Sequence, residues 1–266
     1  VADTGKKNPT DFAVWKFSSP DEKRDMEWDS PWGKGFPGWH LECSAIAREI
    51  LGDQIDIHTG GIDHIPVHHT NEIAQTETLT GKSFANIWVH ANHIKVNGTK
   101  MSKSLDNIYT LKDITDKGFD VDAFKLMILS KHYQTEGNFT WENLEASQNR
   151  LKRWRNIAEL RWQEDKAISS GAGSPDMQEA FAEHMHNDIN TPAAIEVLEK
   201  YLGQMEDLHF CSPCMDNAYG LLETYFGLDI FASTPDISKE QYDKIRDREA
   251  ARNSKDWIKS DQLRDE

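Results

Sequence analysis

The spacing of apolar positions changes along the chain and predicts two different kinds of structure. In the first hundred residues, short apolar runs alternate with helical patterns. The predicted elements are a helix through 45–50 ended by Gly52, a buried strand at 55–58, a sharp turn at 59–61, a helix over 67–78 and strands at 87–90 and 93–96. Helices alternating with strands are typical of an α/β domain, here with a parallel sheet.

After residue 107 strands become scarce and the pattern is helical. Predicted helices begin after Asp120 or Asp122, run from a Thr140 cap to about 164, and cover 176–187, 192–209, 214–226 and 238–254. The small, uncharged segment 169–175 is a predicted linker. We therefore expect an α/β domain over 1–108, a helical region over 109–168, and a helical domain over 176–266.

Composition narrows the class of protein. The chain has 266 residues, a formal net charge of −15 and an aromatic content of 10%, with a mean hydropathy of −0.70. It is too aromatic for a disordered chain, and it lacks an apolar run of the ~18 residues that a membrane span needs. Three cysteines do not make a disulfide framework. We expect a cytoplasmic protein without a membrane partner, whose charge disfavours general nucleic-acid coating.

One loop carries a dense group of cations and hydroxyls. It is the run Lys100-Met101-Ser102-Lys103-Ser104, preceded by Asn97-Gly98-Thr99. Two lysines on such a loop can neutralise a polyphosphate, with the hydroxyls beside them. An arbitrary pair of lysines at this spacing is usually only a solvated turn, but the full five-residue string is far more specific.

A second group has metal-ligating side chains. His68 and Glu72 are four residues apart and share one helix face, and Cys43 lies upstream. A thiolate, an imidazole and a carboxylate can bind zinc. On residue types alone, a surface His/Glu pair and an inert cysteine remain the commoner explanation.

Read together, these segments resemble the bacterial cysteinyl-tRNA synthetases, which are class I aminoacyl-tRNA synthetases. The resemblance covers nearly the whole chain in the right order. It rests on segments 38–45, 56–63, 68–75, the lysine loop with Leu105-Asp106-Asn107, His132-Tyr133, Asn190-Thr191-Pro192, 248–252 and 255–257. It implies the second half of a Rossmann-like catalytic domain, a stem-contact region, and a truncated helical tRNA-binding domain.

The resemblance also implies roles for individual residues. Cys43, His68 and Glu72 match three of four zinc ligands, while Trp39 and His58 match the cysteine pocket. The nucleotide-binding positions are Gly60, Gly61, Asp63, Lys100, Met101, Ser102, Lys103 and Ser104, of which the two lysines meet the ATP phosphates. The implied cofactor is Zn²⁺, and the implied partners are cysteine, ATP with Mg²⁺, and tRNA(Cys).

The sequence departs from the family pattern at its beginning. No cysteine precedes Cys43 and no His-x-Gly-His motif occurs, although the family has both upstream; Ile62, Val67 and Thr70 also differ from the common residues. We therefore expect a partial enzyme that binds zinc weakly, does not activate cysteine alone, and self-associates or needs its N-terminal half. The full-length protein is expected to be a monomer.

Alternatives remain open at this point. A cysteine:amino-sugar ligase of the mycothiol pathway shares the zinc and lysine motifs, and a non-catalytic tRNA-binding remnant is a third possibility. Five basic residues in 150–161 predict either a phosphate track or a solvated helix face. The pair Cys211 and Cys214 is expected to be structural or incidental, because neither a redox scaffold nor a second cysteine pair surrounds it.

Overall fold

The computed structural model describes residues 6–19, 21, 24–162, 174–208 and 212–265. The chain divides after His93 into two compact units, Val1–His93 and Ile94–Glu266, and each is described by itself. Within the described residues, no helix combines the length and the apolarity that crossing a bilayer requires. The domain boundaries predicted at 108, 168 and 175 stay predictions.

The first unit contains a parallel strand pair with two helices. Its elements are β1 (Trp15–Phe17), β2 (Gly35–Pro37), α1 (Trp39–Leu51), β3 (Ile55–Gly61), α2 (Thr70–Thr80) and β4 (Ala85–Ala91). β1 and β2 are antiparallel, whereas β3 and β4 are parallel, so the predicted parallel pairing is confirmed. The turn predicted at 59–61 is wrong, because Thr59, Gly60 and Gly61 continue the ladder opposite Val89, His90 and Ala91.

The chain reverses after β3 through two tight helical turns. Ile62–His64 is a 3₁₀ turn, and Ile65–His69 is a π-helical turn with a proline in its first positions. The α-helix therefore begins at Thr70, three residues later than predicted. π-helical turns are uncommon and often occur at functional sites. This one places two consecutive histidines, His68 and His69, in the interior, where both are buried.

The β3–β4 pair is covered on one face, whereas its other face is covered only at the start, where Ile55 and Ala85 are buried. His58 and Trp88 lie opposite each other and are half-buried, as alternation along a strand requires for a covered face. On the other face Ile57 and Ile87 are register partners and are 56% and 55% exposed. The first unit therefore presents adjacent apolar side chains to solvent.

The second unit is mainly helical. Its elements are β5 (Ile94–Val96), α3 (Leu111–Asp116), α4 (Val121–Leu129), β6 (Gly137–Phe139), α5 (Trp141–Glu159), α6 (Ser174–His186), α7 (Thr191–Leu208), α8 (Ser212–Phe226), α9 (Lys239–Asn253) and α10 (Trp257–Asp265). β5 and β6 pair in parallel, and β6 was not predicted. One hydrophobic core joins the elements from β5 to α8, with Leu126, Leu144, Trp154, Phe181 and Leu198 among its fully buried side chains.

Capping side chains set most of the helix starts. Asp120 accepts a hydrogen bond from the Asp122 amide, and Thr140 accepts one from the Asn143 amide, so both predicted caps are confirmed. α5 ends at Glu159, and the residues up to Trp162 form a 3₁₀ turn. Residues 169–173 of the predicted linker lie outside the described residues, and α6 begins at Ser174.

Candidate metal centre

The three residues predicted to bind metal lie together in the first unit. Cys43 is on α1, His68 is in the π-helical turn and Glu72 is in the first turn of α2. One ligand atom of each lies within 4.8 Å of the others. Ligand atoms on a tetrahedral zinc lie roughly 3.3–3.6 Å apart, given bonds of about 2.0–2.3 Å. Small side-chain movements would therefore complete the contact.

Glu72 is the most deeply buried member of this group. Its side chain has no exposed surface, and its Oε2 lies 2.8 Å from His58 Nε2. Its other oxygen, Oε1, is buried without a hydrogen-bond partner among the described residues. A buried carboxylate needs a compensating charge or hydrogen bonds. The unpartnered oxygen, together with the thiol and imidazole beside it, fits a divalent cation of the zinc type.

Further histidines pair with the imidazoles that lie beside this carboxylate. His68 Nδ1 lies 2.8 Å from His40 Nδ1, and His69 Nδ1 lies 2.8 Å from His90 Nε2. The Nε2 atoms of His68 and His69 each lie 3.8 Å from Glu72 Oε2. Sequence reasoning missed His40, His69 and His90, although the alternation along β4 places His90 on the same face as Trp88.

A second group of ligand atoms overlaps the first. His58, His69 and Glu72 also have one ligand atom each within 4.8 Å of one another. Two sets of three donors therefore meet at one carboxylate.

Burial and neighbouring charges control the protonation of this cluster. Burial lowers the pKa of His69 to about 4, with the surrounding imidazoles adding to the effect, and burial lowers the pKa of His68. Burial, then the negative charges of Glu72 and Glu42, raise the pKa of the Cys43 thiol. The imidazoles of His68 and His69 are therefore neutral near pH 7, as metal ligands must be, and binding of a cation to Cys43 would release the thiol proton.

The predicted pocket residues lie around the metal ligands. The Trp39 ring centroid is 4.4 Å from that of His68, and the indole is 57% exposed. His64, which the sequence did not single out, meets Trp39 edge-on with centroids 5.7 Å apart. His58, by contrast, is held by Glu72. The exposed side of the cluster is therefore bordered by the Trp39 indole, and the buried side by the Glu72 carboxylate.

The glycines predicted to contact the nucleotide close one wall of the cluster. A Cβ at Gly60 would lie 2.5 Å from His69 Cε1, so only glycine permits this approach. The Asp63 carboxylate lies over Gly61, with its Oδ1 3.5 Å from His93 Nε2. Asp63 is exposed and able to accept hydrogen bonds from a ligand.

The lysine loop belongs to the second unit. Asn97 and Gly98 have φ values of 48° and 73° and form the tight turn that reverses the chain between Val96 and Thr99. Asn107 then ties the loop together: its Oδ1 accepts from the Ser102 amide at 2.8 Å, and its Nδ2 donates to Thr99 Oγ1 and to the Lys100 carbonyl, both at 3.2 Å.

The two lysines of this loop are not engaged by acidic side chains among the described residues. Lys100 and Lys103 are both exposed, and neither ammonium group has an ion-pair partner among the described residues. The loop therefore has a fixed backbone and two cations available to an anion.

The basic stretch on α5 is engaged inside the second unit. Arg150 pairs with Glu199, Arg153 pairs with Glu206 at 2.6 Å, and Arg155 pairs with Asp120 at 2.7 Å. Arg161 donates to Thr234 Oγ1 at 2.7 Å. These arginines connect α5 and the turn after it to neighbouring elements. Because their guanidinium groups are already engaged, this arrangement does not favour the predicted phosphate track.

The prediction that Cys211 and Cys214 are structural or incidental stays a prediction. Cys211 and the side chain of Cys214 lie outside the described residues.

The fold is that of a class I aminoacyl-tRNA synthetase. Agrobacterium radiobacter LeuRS, in a ternary complex with tRNA and LeuAMS, has a TM-score of 0.56 at 16% identity over 80% of this chain and 34% of its own. Mycobacterium tuberculosis methionyl-tRNA synthetase, bound by methionyl-adenylate, has a TM-score of 0.51 at 15% identity over 72% of this chain and 43% of its own. At these identities the similarity shows the fold alone.

The particular family follows from the sequence comparison. Residues 1–149 match the family described as tRNA synthetases class I (C) catalytic domain, and the chain belongs to this family. It is 39% identical over 98% of its length to the cysteine–tRNA ligase of Chlamydia felis and 38% identical over 100% of its length to cysteine–tRNA ligase 1 of Burkholderia lata. The chain spans 57% and 55% of those relatives. The predicted family resemblance is confirmed.

Proposed function

We propose that the chain forms part of a cysteine–tRNA ligase. This enzyme would activate cysteine with ATP to give cysteinyl-adenylate and pyrophosphate, and would then transfer cysteine to tRNA(Cys) in the cytoplasm. Family membership over residues 1–149 and similarity to cysteine–tRNA ligases along the whole chain support the proposal. Residues 1–108 would belong to the catalytic domain, 109–168 to the stem-contact region and 176–266 to the tRNA-binding domain.

One observation carries the choice of substrate: the ligand atoms of Cys43, His68 and Glu72 lie within 4.8 Å, and Glu72 Oε1 is buried without a partner. These residues would hold Zn²⁺, which when bound supplies a Lewis acid that prefers a thiolate to a hydroxyl. An apolar pocket separates cysteine from serine poorly, whereas a specific polar contact can reject the analogue by ~10⁴ or more.

The neighbouring side chains would orient the amino acid. Trp39 covers the His68 imidazole and would exclude water on that side of the thiol. His58 is bound to Glu72, so it would fix the orientation of the carboxylate as a positioning residue. The ligands would thereby keep one orientation while cysteine enters.

The ATP-binding residues would act by position and charge. Gly60 and Gly61 let the backbone approach the nucleotide closely, and the Asp63 carboxylate would accept hydrogen bonds from a ribose. Lys100 and Lys103, both exposed on a loop that Asn107 fixes, would neutralise the phosphates during in-line attack of the cysteine carboxylate on the α-phosphate. Catalysis of this step is largely positioning and charge stabilisation.

The test is cysteine-dependent ATP–pyrophosphate exchange and aminoacylation by the full-length protein that contains residues 1–266. We expect exchange with cysteine, at least 10³-fold less with serine, loss on metal chelation, and recovery with zinc. Formation of a cysteinyl amino-sugar instead of cysteinyl-tRNA would replace the proposal by the amino-sugar ligase. Binding of tRNA without any exchange would instead favour a non-catalytic tRNA-binding role.

A further inference from the structure

The backbone of the lysine loop is held by one side chain that lies outside it. Within the described part of the chain, each side-chain hydrogen bond that enters the run 100–104 from outside comes from Asn107. Its Oδ1 accepts from the Ser102 amide at 2.8 Å, and its Nδ2 donates to the Lys100 carbonyl at 3.2 Å. One carboxamide therefore fixes the peptide groups on both sides of Met101. We call these hydrogen bonds the Asn107 clamp.

Apolar packing contributes little to the order of this loop. Met101 and Leu105 are 38% and 59% exposed, and Lys100 and Lys103 are exposed as well. A segment with few buried apolar contacts depends on its hydrogen bonds and opens locally at low cost. Removing the Asn107 side chain would therefore release the loop without leaving a cavity in the hydrophobic core.

The clamp itself is anchored to the core of the second unit. Asn107 Nδ2 also donates to Thr99 Oγ1 at 3.2 Å. That hydroxyl donates to the carbonyl of the buried Val96 at 2.9 Å. Two residues after Asn107, the Tyr109 ring lies 5.6 Å from the buried Phe139 ring, centroid to centroid. The position of Asn107 is thus set by core contacts on both sides of it in the chain.

The two lysines gain from a backbone that is already in place. A lysine side chain has large conformational freedom, and ordering it on a bound anion costs free energy. If the backbone that carries it is also free, the cost of ordering rises further. A loop held before the nucleotide binds lowers this cost and keeps both ammonium groups near the place where charge develops.

We propose that Asn107 is a positioning residue for the ATP-dependent step: it holds the backbone of the lysine loop so that Lys100 and Lys103 meet the phosphates in the transition state. Asn107 acts through these two lysines and not by contact with the nucleotide. This inference rests on the proposed function, because it takes ATP as the anion that the lysines meet.

Hydrogen exchange of the full-length protein tests the clamp without reference to activity. Asn107→Ala should raise the exchange rate of the Ser102 amide by about tenfold or more, followed in peptides that cover residues 98–107, because this amide loses its acceptor. Asn156→Ala, at an exposed position on α5, is the matched control and should leave this rate unchanged. Equal exchange in the two variants would overturn the clamp.

The rate of cysteinyl-adenylate formation by the full-length protein tests whether the clamp acts through the lysines. Asn107→Ala should lower this rate by roughly 10- to 100-fold and leave the KM for cysteine unchanged. In the Lys100→Ala/Lys103→Ala background, the same substitution should lower the rate further by less than about twofold, because the groups that it positions are absent. Asn156→Ala should have no effect in either background.

An equal loss in both backgrounds would show a general structural role for Asn107 and would overturn the proposal. A wild-type rate in Asn107→Ala would overturn it as well. If the wild-type protein formed no adenylate, the proposed function would fail and the catalytic role of Asn107 with it. The exchange rate of the Ser102 amide would still decide whether the clamp exists, so the two failures are distinguishable.

Discussion

His58 Nε2 lies 2.8 Å from Glu72 Oε2, and this contact joins β3 to α2 in the interior of the first unit. Among the described residues it is the one hydrogen bond to this carboxylate, whose side chain has no exposed surface. A buried anion with so few partners destabilises the metal-free fold, and a bound cation removes that cost. Glu72 thus couples metal binding to the stability of the unit.

Replacing Glu72 by glutamine separates the effect of this carboxylate on stability from its effect on metal binding. The metal-free chain should become more stable, by about 1 kcal/mol or more, because a buried charge is removed while the shape is kept. Zinc affinity should fall by more than about 100-fold, since a direct ligand matters more than the groups behind it. Calorimetric zinc titration and denaturant unfolding measure both quantities. Glu49→Gln, at an exposed position on α1, should change neither; equal zinc affinity in the two variants would contradict this assignment.

Two glycine substitutions should change the free energy of unfolding in opposite directions. Gly60→Ala places a methyl group 2.5 Å from His69 Cε1, so we expect a loss of roughly 1–3 kcal/mol from overpacking and weaker metal binding. Gly220→Ala, inside α8, meets no atom within 4 Å and should stabilise the chain by roughly 0.5–1 kcal/mol. Urea unfolding compares them, and a Gly60→Ala chain as stable as wild type would show that the close approach is not required.

The lysine loop should affect chemistry without affecting cysteine binding. In the full-length protein, Lys103→Ala is expected to lower the rate of adenylate formation by roughly 10²-fold or more, because the charge acts mainly in the transition state. Cysteine affinity should change little. Lys112→Ala is the matched control, since within the described part of the chain this lysine pairs only with Asp116 on the surface. An unchanged pyrophosphate-exchange rate in Lys103→Ala would refute the role of the loop.

Tyr219 should make the second unit sensitive to alkaline pH. Its hydroxyl donates to the Trp154 carbonyl at 2.6 Å, and burial raises its pKa well above the ordinary value. Above pH ~10 the unfolded tyrosine loses its proton while the folded one keeps it, so stability falls by up to about 1.4 kcal/mol per pH unit. Tyr219→Phe should cost about 1 kcal/mol near neutral pH and flatten this decline. Unfolding curves at several alkaline pH values would show an unchanged slope if Tyr219 is not responsible.

The uncovered face of the β3–β4 pair should promote self-association. Ile57 and Ile87 are register partners and more than half exposed, and adjacent apolar side chains of this kind favour contacts between molecules. The double variant Ile57→Thr/Ile87→Thr should shift the chain towards monomer in sedimentation velocity. Ile258→Thr, at another exposed isoleucine, is the control. An identical distribution for all three proteins would exclude this face.

Local signals predicted the elements that depend on nearby residues. Asp120 and Thr140 cap the helices that follow them, and the apolar run at 55–58 marks β3. The start of α10 had such a signal as well, because Asp256 precedes Trp257 and its carboxylate accepts from the Lys259 amide, although no helix was predicted there.

Contacts between distant residues could not be predicted in the same way. β6 has only three residues and pairs with β5 through Ile94 and Gly137, so its own sequence has little strand signal. The grouping of Cys43, His68 and Glu72 followed from motif resemblance, and their metal binding stays a prediction. The imidazole pairs His40–His68 and His69–His90 required the π-helical turn, which no spacing rule indicated.

The central claim is that a metal held by Cys43, His68 and Glu72 recognises the thiol of cysteine. The most direct measurement is the absorption spectrum of the cobalt-loaded chain, with Cys211 and Cys214 replaced by serine, as cysteine or serine is added. A second thiolate on the ion should increase the thiolate-to-cobalt charge-transfer band with cysteine, and serine should leave the band unchanged. An identical spectrum with both amino acids would contradict the claim.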